Sequence, residues 1–133
     1  MPDGGRRDAN QAALRRYCDA WLAGDLPAIL DCYADDLTLH YFGRSPLAGD
    51  HVGKQAALAA LFQVQQRTNR KLLAIHDVLA SDDHAVVMAR ERFERDGKTC
   101  ELNRVAVYHL RDGKLVECWI YDEDQRLVDE FLA

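Results

Sequence analysis

The chain has no surplus of positive charge. Its 17 Lys and Arg face 22 Asp and Glu, a formal net charge of −5, so a nucleic-acid partner, which asks for a basic face, is not expected. No apolar run approaches the ~18 residues of a membrane span, so no membrane partner is expected either. The opening MPDGGRRDAN lacks the apolar stretch of a signal peptide; it predicts a cytoplasmic protein whose residues 1–8 form a flexible tail. There is no Cys-x-x-Cys pair. Cys18, Cys32, Cys100 and Cys118 stand singly in apolar patterns, which reads as small buried hydrophobes in a reducing compartment rather than as metal ligands or reactive thiols. Prolines number only three, and no linker, repeat or low-complexity segment interrupts the chain. No metal or cofactor motif is present, and none is expected. What is there, 133 residues of which 48% are apolar and 29% charged, is enough for one soluble domain, 1–133, with a real core.

Residues 8–23 place Ala13, Leu14, Tyr17, Cys18, Trp21 and Leu22 at helical spacing. Gly24 is a stop, and Asp25 caps a second helix with Leu26, Ile29, Leu30 and Tyr33 on its inner face, ending at Asp35-Asp36. Leu37–Phe42 alternates as a strand. Residues 43–53, with three glycines and Pro46, read as loop, and Lys54–Thr68 as a third helix. From Lys71 the period becomes 2, giving strands at 71–80, 85–95, 99–110 and 115–122. Helices first and a meander afterwards predict an α+β fold. Leu127–Leu132 is a short apolar end that packs on the sheet.

Asp96-Gly97 and Asp112-Gly113 are two-residue hairpin signals, and they set the register. The first pairs Phe93 with Cys100, Glu91 with Leu102 and Ala89 with Arg104. The second, counted without interruption, pairs Tyr108 with Glu117, Ala106 with Trp119 and Arg104 with Tyr121. One face then carries Glu91, Phe93, Arg104, Tyr108, Trp119 and Tyr121. The other carries Val105, Val107, Cys118 and Ile120, an apolar strip that predicts a homodimer. Glu91 and Arg104 are opposite charges on the aromatic face. They form either a structural ion pair or a polar anchor in a ligand cavity.

The stretch Tyr17–Gly43, with YADD at Tyr33–Asp36, resembles the opening of ketosteroid isomerases and SnoaL-like polyketide cyclases of the nuclear transport factor 2-like superfamily. The likeness continues through the third helix to Gly113-Lys114-Leu115. It implies a single SnoaL-like domain: a curved antiparallel sheet wrapped around three N-terminal helices, a cone-shaped, cystatin-like α+β barrel with a mostly apolar pocket. The isomerases' oxyanion tyrosine falls on Tyr17. Their catalytic aspartate falls on His40 or Tyr41, depending on the anchor used, and their second oxyanion acid falls on Ala106. The donor is kept and both carboxyls are missing, so steroid isomerisation itself is not implied. Asp124 resembles a carboxylate common in the SnoaL-like branch. Limonene epoxide hydrolases share the fold and use an Asp-Arg-Asp arrangement. Glu91 and Arg104 are loosely similar to it, but Tyr121 stands where one aspartate belongs.

The resulting expectation is a cofactor-free isomerase- or cyclase-type enzyme moving a proton on a small, largely apolar carbonyl or ring substrate. His40 is its base and Tyr17 its oxyanion donor. Glu91 and Arg104 orient the substrate, Trp119, Tyr121 and Phe93 wall it, and Asp124 lies near. The alternatives are a non-catalytic binding protein for a small hydrophobic ligand, an epoxide-hydrolase-like enzyme, or a dimerisation scaffold with a filled core.

Overall fold

The structure, a computed structural model, describes residues 4–133. Helix α1 spans Gly4–Ala23, so residues 4–8, expected in a flexible tail, are helical; residues 1–3 of that expectation lie outside the described residues. The reason is a pair of anchors to the turn after Ala80. Asn10 Nδ2 donates to the carbonyls of Ser81 (3.1 Å) and Asp82 (2.9 Å), and Arg6 pairs with Asp83. Gly24, at φ 67°, closes α1, and Asp25 caps α2 (Leu26–Asp31) by accepting from the Ala28 amide at 3.3 Å. Tyr33 is not in α2 as expected. It opens β1 (Tyr33–Tyr41), where it lies opposite Leu115 while the Cys32 carbonyl accepts from the Leu115 amide.

The segment expected to be loop contains β2 (Gly49–Val52), and α3 follows at Lys54–Thr68. Strands β3 (Lys71–Ala80), β4 (His84–Arg95), β5 (Lys98–Arg111) and β6 (Lys114–Asp122) complete one curved sheet that does not close, in the order β2-β1-β6-β5-β4-β3. All neighbours are antiparallel except β1 and β6, which run parallel. The fold is α+β as expected. Helix α1 lies against β3 and β4, α3 against β1 and β4. The C-terminal α4 (Gln125–Leu132) packs Val128, Phe131 and Leu132 into the same core. Gly43 makes that possible. Its φ is 108°, and a Cβ there would lie 2.1 Å from Asp129 Oδ1, where α4 is latched by Arg44 N to Asp129 (3.0 Å) and Gln125 to the Phe42 carbonyl (3.1 Å).

Both Asp-Gly turns have positive φ at their two central residues, 52° and 78° in the first, 52° and 76° in the second, the signature of type I′. The β4/β5 register is the expected one throughout. The β5/β6 register starts as expected at Arg111 and Lys114, then slips: Leu110 faces Leu115, but His109 faces Glu117. Val116 is the extra residue of a β-bulge. Leu115 and Val116 are both buried, which an uninterrupted strand, pointing neighbours to opposite faces, does not allow. Everything after the bulge changes face. Tyr108 meets Cys118, Ala106 meets Ile120, and Arg104 meets Asp122. Two expectations are corrected. Trp119 and Tyr121 belong to the outer face, and Cys118 and Ile120 to the inner one.

Candidate functional site

Between the inner face and helices α1, α2 and α3 lies a cavity of about 300 Å³. Its walls are mostly apolar: Trp21, Leu26, Ile29 and Leu30 from the α1–α2 corner, Leu58, Leu61 and Phe62 from α3, and Leu37, Leu39, Val87, Ala89, Ala106, Cys118 and Ile120 from the sheet. Besides Gln65 on α3, polar groups enter at two places. This is the general form of a small-molecule site, a largely apolar cleft with a few placed polar atoms.

At the first place three tyrosines meet. The Tyr108 hydroxyl donates to Tyr17 Oη at 3.3 Å, and the Tyr17 and Tyr33 hydroxyls lie 2.6 Å apart. A hydroxyl has one hydrogen and two lone pairs. With Tyr33 as the other donor, Tyr17 accepts twice and its own hydrogen is free for a ligand oxygen in the cavity. Burial pushes the Tyr17 phenol up to about 12, against the lowering effect of the hydrogen bonds from Tyr108 and Tyr33. Burial also lifts Tyr33 and Tyr108 well above the ordinary phenol value. The cluster is therefore protonated, a source of neutral O–H donors. Burial raises the neighbouring Cys118 thiol to about 12 and Cys18 to about 11, as suits small buried hydrophobes.

At the second place Arg104, on β5, is fully buried among three acceptors. It donates Nε to Asp122 Oδ1, Nη2 to Asp122 Oδ2 at 3.1 Å, Nη2 to Tyr41 Oη at 2.6 Å, and Nη1 to Glu91 Oε2 at 3.4 Å. The expected Glu91–Arg104 pair is present, and it is part of a larger network. The Arg104 guanidinium also lies over the rings of Tyr41 (5.6 Å) and Phe93 (5.1 Å). Burial raises the Asp122 carboxyl against the pull of Arg104, and raises the Tyr41 phenol likewise. Arg70 completes the group. Asn69 takes the left-handed conformation (φ 44°) that ends α3, and Arg70 then packs over Trp21 at 5.9 Å and sets Nε 3.3 Å from Glu91 Oε1.

Of the residues expected in one pocket, the structure brings together Tyr17, Glu91 and Arg104. His40 and Tyr41 alternate along β1, and Tyr41 is the one turned inward, to Arg104. His40 is on the outer face, its ring held at 2.7 Å by Asp50 on one side and at 2.7 Å by Glu117 on the other, and stacked on Trp119 at 5.2 Å. Burial pulls its imidazolium down, but the hydrogen bonds and charges of Asp50 and Glu117 outweigh that and raise it above 6.5. Tyr121 stacks on Phe42 on the same outer face. Phe93 is buried behind Arg104, against Phe131. Asp124 caps α4 by accepting from the Leu127 amide at 3.1 Å. Sequence reasoning missed Tyr33, Tyr108, Asp122 and Arg70. Tyr108 was already on the correct face; Arg70, at a helix end, has no periodic signal.

A family model described as a SnoaL-like domain matches residues 14–118. The chain belongs to the SnoaL-like family. An uncharacterised protein of Mycobacterium tuberculosis is 25% identical over 128 residues, covering 95% of this chain and 98% of the relative. The structure of Bal32a, from a soil-derived mobile gene cassette, superposes with a TM-score of 0.86 at 27% identity, over 96% of this chain and 99% of that one. A Jannaschia sp. CCS1 structure named for the SnoaL-like polyketide cyclases superposes with a TM-score of 0.76 at 16% identity, over 100% of this chain and 96% of that one. Among the described residues no helix is long and apolar enough to cross a membrane.

Proposed function

We propose that this SnoaL-like protein is an enzyme of the isomerase or cyclase type, moving a proton on a small, largely apolar carbonyl or ring compound held in the cavity. The observation that carries the reading is that Tyr17 and Glu91 line one apolar cavity. Tyr17, polarised by hydrogen bonds with two further tyrosines, donates to a carbonyl oxygen and stabilises the negative charge that grows there as a neighbouring C–H or conjugated O–H loses its proton. Glu91 is the carboxylate that lines the cavity, and takes the base role expected of His40. Arg104 fixes Glu91 from behind, three of its other donors occupied by Asp122 and Tyr41. The SnoaL-like family model and the polyketide-cyclase name of the Jannaschia structure support this class. Asp122 accepts from Arg104 through both oxygens and is not a cavity wall, so of the two carboxylates only Glu91 reaches the cavity, which favours proton transfer over a hydrolysis that needs two.

A second reading, a binding protein without turnover, is favoured by one observation: Glu91 has guanidinium groups on two sides, Arg70 and Arg104, an arrangement that suits an orienting anchor. Deuterium wash-in from heavy water into a panel of cyclic enones and diketones separates the two. Wild-type protein is expected to accelerate exchange of at least one compound, Tyr17→Phe to slow it by about 10²-fold, and Glu91→Gln to slow it comparably. Saturable binding with no acceleration would discard the enzyme in favour of the binding protein.

A further inference from the structure

Glu91 is 3% exposed and lines the cavity. Its Oε2 accepts from Arg104, but Oε1 has no hydrogen-bond partner, the only such buried side-chain atom among the described residues. Arg70 Nε is 3.3 Å from Oε1 in an ion pair without hydrogen-bond geometry. A carboxylate oxygen can only accept, and leaving it buried without a donor is unfavourable. The missing partner is therefore an O–H or N–H. The charges around it already balance, Arg70 and Arg104 against Glu91 and Asp122, so the cavity does not call for an ion.

Tyr17 and Glu91 line the same cavity as two polar places. Tyr17 packs against Trp21 at 6.1 Å, and Trp21 lies under Arg70 (5.9 Å), whose Nε is 3.3 Å from Glu91 Oε1. Val87 and Ala89 line the wall between Ala85, the partner of Tyr108, and Glu91 on β4.

We propose that the Glu91 end is a donor-recognition subsite, and that the ligand is a neutral ring compound with a carbonyl at one end, for Tyr17, and a hydroxyl or N–H at the other, for Glu91 Oε1. The proposal rests on the reading that the cavity takes a ring carbonyl compound, and adds that an uncharged hydrogen-bond donor at its far end is selected.

Calorimetric titration with a matched set tests it: tetralone, the tetralone bearing a phenolic hydroxyl para to the carbonyl carbon, its methyl ether, and the corresponding carboxylic acid, below the pH at which the phenol ionises. Tetralone is expected to bind, the hydroxytetralone about tenfold to a hundredfold more tightly, as befits a hydrogen bond to a charged acceptor, and the ether no better than tetralone. Glu91→Gln keeps the side chain's size and is expected to reduce the hydroxyl preference, read as the ratio of hydroxytetralone to tetralone affinity within each protein, so that any general effect of the substitution on the cavity cancels. Equal binding of tetralone and hydroxytetralone, or a preference undiminished in Glu91→Gln, overturns the subsite and leaves the ring-carbonyl reading intact. Tightest binding by the carboxylic acid also overturns it, because the anion would then be taken by Arg70. If no member of the set binds, the ring-carbonyl reading and the subsite fall together.

Discussion

Arg104 holds Asp122 across β5 and β6 through two parallel hydrogen bonds, Nε to Oδ1 and Nη2 to Oδ2. Both side chains are almost wholly buried, and the same guanidinium serves Glu91 and Tyr41. Removing it strands two carboxylates in an apolar interior. Arg104→Leu is expected to cost about 3–5 kcal/mol, read from urea unfolding of the two proteins. A loss below about 1 kcal/mol would mean that water reaches the group and the network is a solvated one.

How this pairing arises shows what the sequence could and could not tell. Asp96-Gly97 fixes the β4/β5 ladder because a two-residue turn leaves no freedom of register, and Glu91 and Arg104 were legible from it. Asp112-Gly113 fixes β6 equally well, but only as far as Leu115. Beyond it the bulge at Val116 turns the strand over, so Asp122 was hidden and Trp119 and Tyr121 were placed in the pocket. A signal existed. The uninterrupted register points Glu117 inward at Tyr108 and leaves one of the adjacent apolar pair Leu115-Val116 outside. The bulged one buries Leu115, Val116, Cys118 and Ile120 together. Which histidine neighbour faces inward on β1 was likewise open, because His40 and Tyr41 differ by one position and the family likeness can be anchored from either side.

The bulge can be tested by length rather than by chemistry. Deleting Val116 takes out the residue that opposes nothing on β5, so Glu117 still meets His109, Cys118 still meets Tyr108 and Asp122 still meets Arg104, now on an unbroken ladder. The expected outcome is a folded protein that loses only what Val116 buries, about 2 kcal/mol, as Val116→Ala also does. Loss of the native fold in the deletion variant, with Val116→Ala still folded, would show that Val116 is not the surplus residue of β6.

His40 contributes to the pH dependence of stability. Its imidazolium is held above 6.5 in the folded chain by Asp50 and Glu117, despite burial, so the folded state binds the proton more tightly than the unfolded state. That stabilisation is fully present below pH 6.5 and is lost as pH rises through the folded value. In urea titrations across this window, stability is expected to fall with rising pH in the wild type, and His40→Asn is expected to flatten the slope. An unchanged slope in the variant would remove His40 as its source.

The outer sheet face still predicts a homodimer, with a different strip from the one first expected. Cys118 and Ile120 have gone inside, and Val105 and Val107 remain, now beside Trp119 and Tyr121 on β6 and Val86 and Met88 on β4. Met88 is 40% exposed, Tyr121 49% and its stacking partner Phe42 38%. An apolar and aromatic patch of this kind is unusual on a lone soluble domain. Among the described residues no helix covers it, since α4 packs on the inner face with the other helices. His40, His84, His109, Arg90 and Asn103 surround it with the polar rim of an interface, and a twofold axis through the face would bury each strip against its own copy. Sedimentation at micromolar concentration is expected to show a species of twice the 15.1 kDa chain mass, and Val107→Asp, which places a charge at the centre of the strip, is expected to return it to the monomer. A single species near the chain mass in the wild type would rule out the pairing.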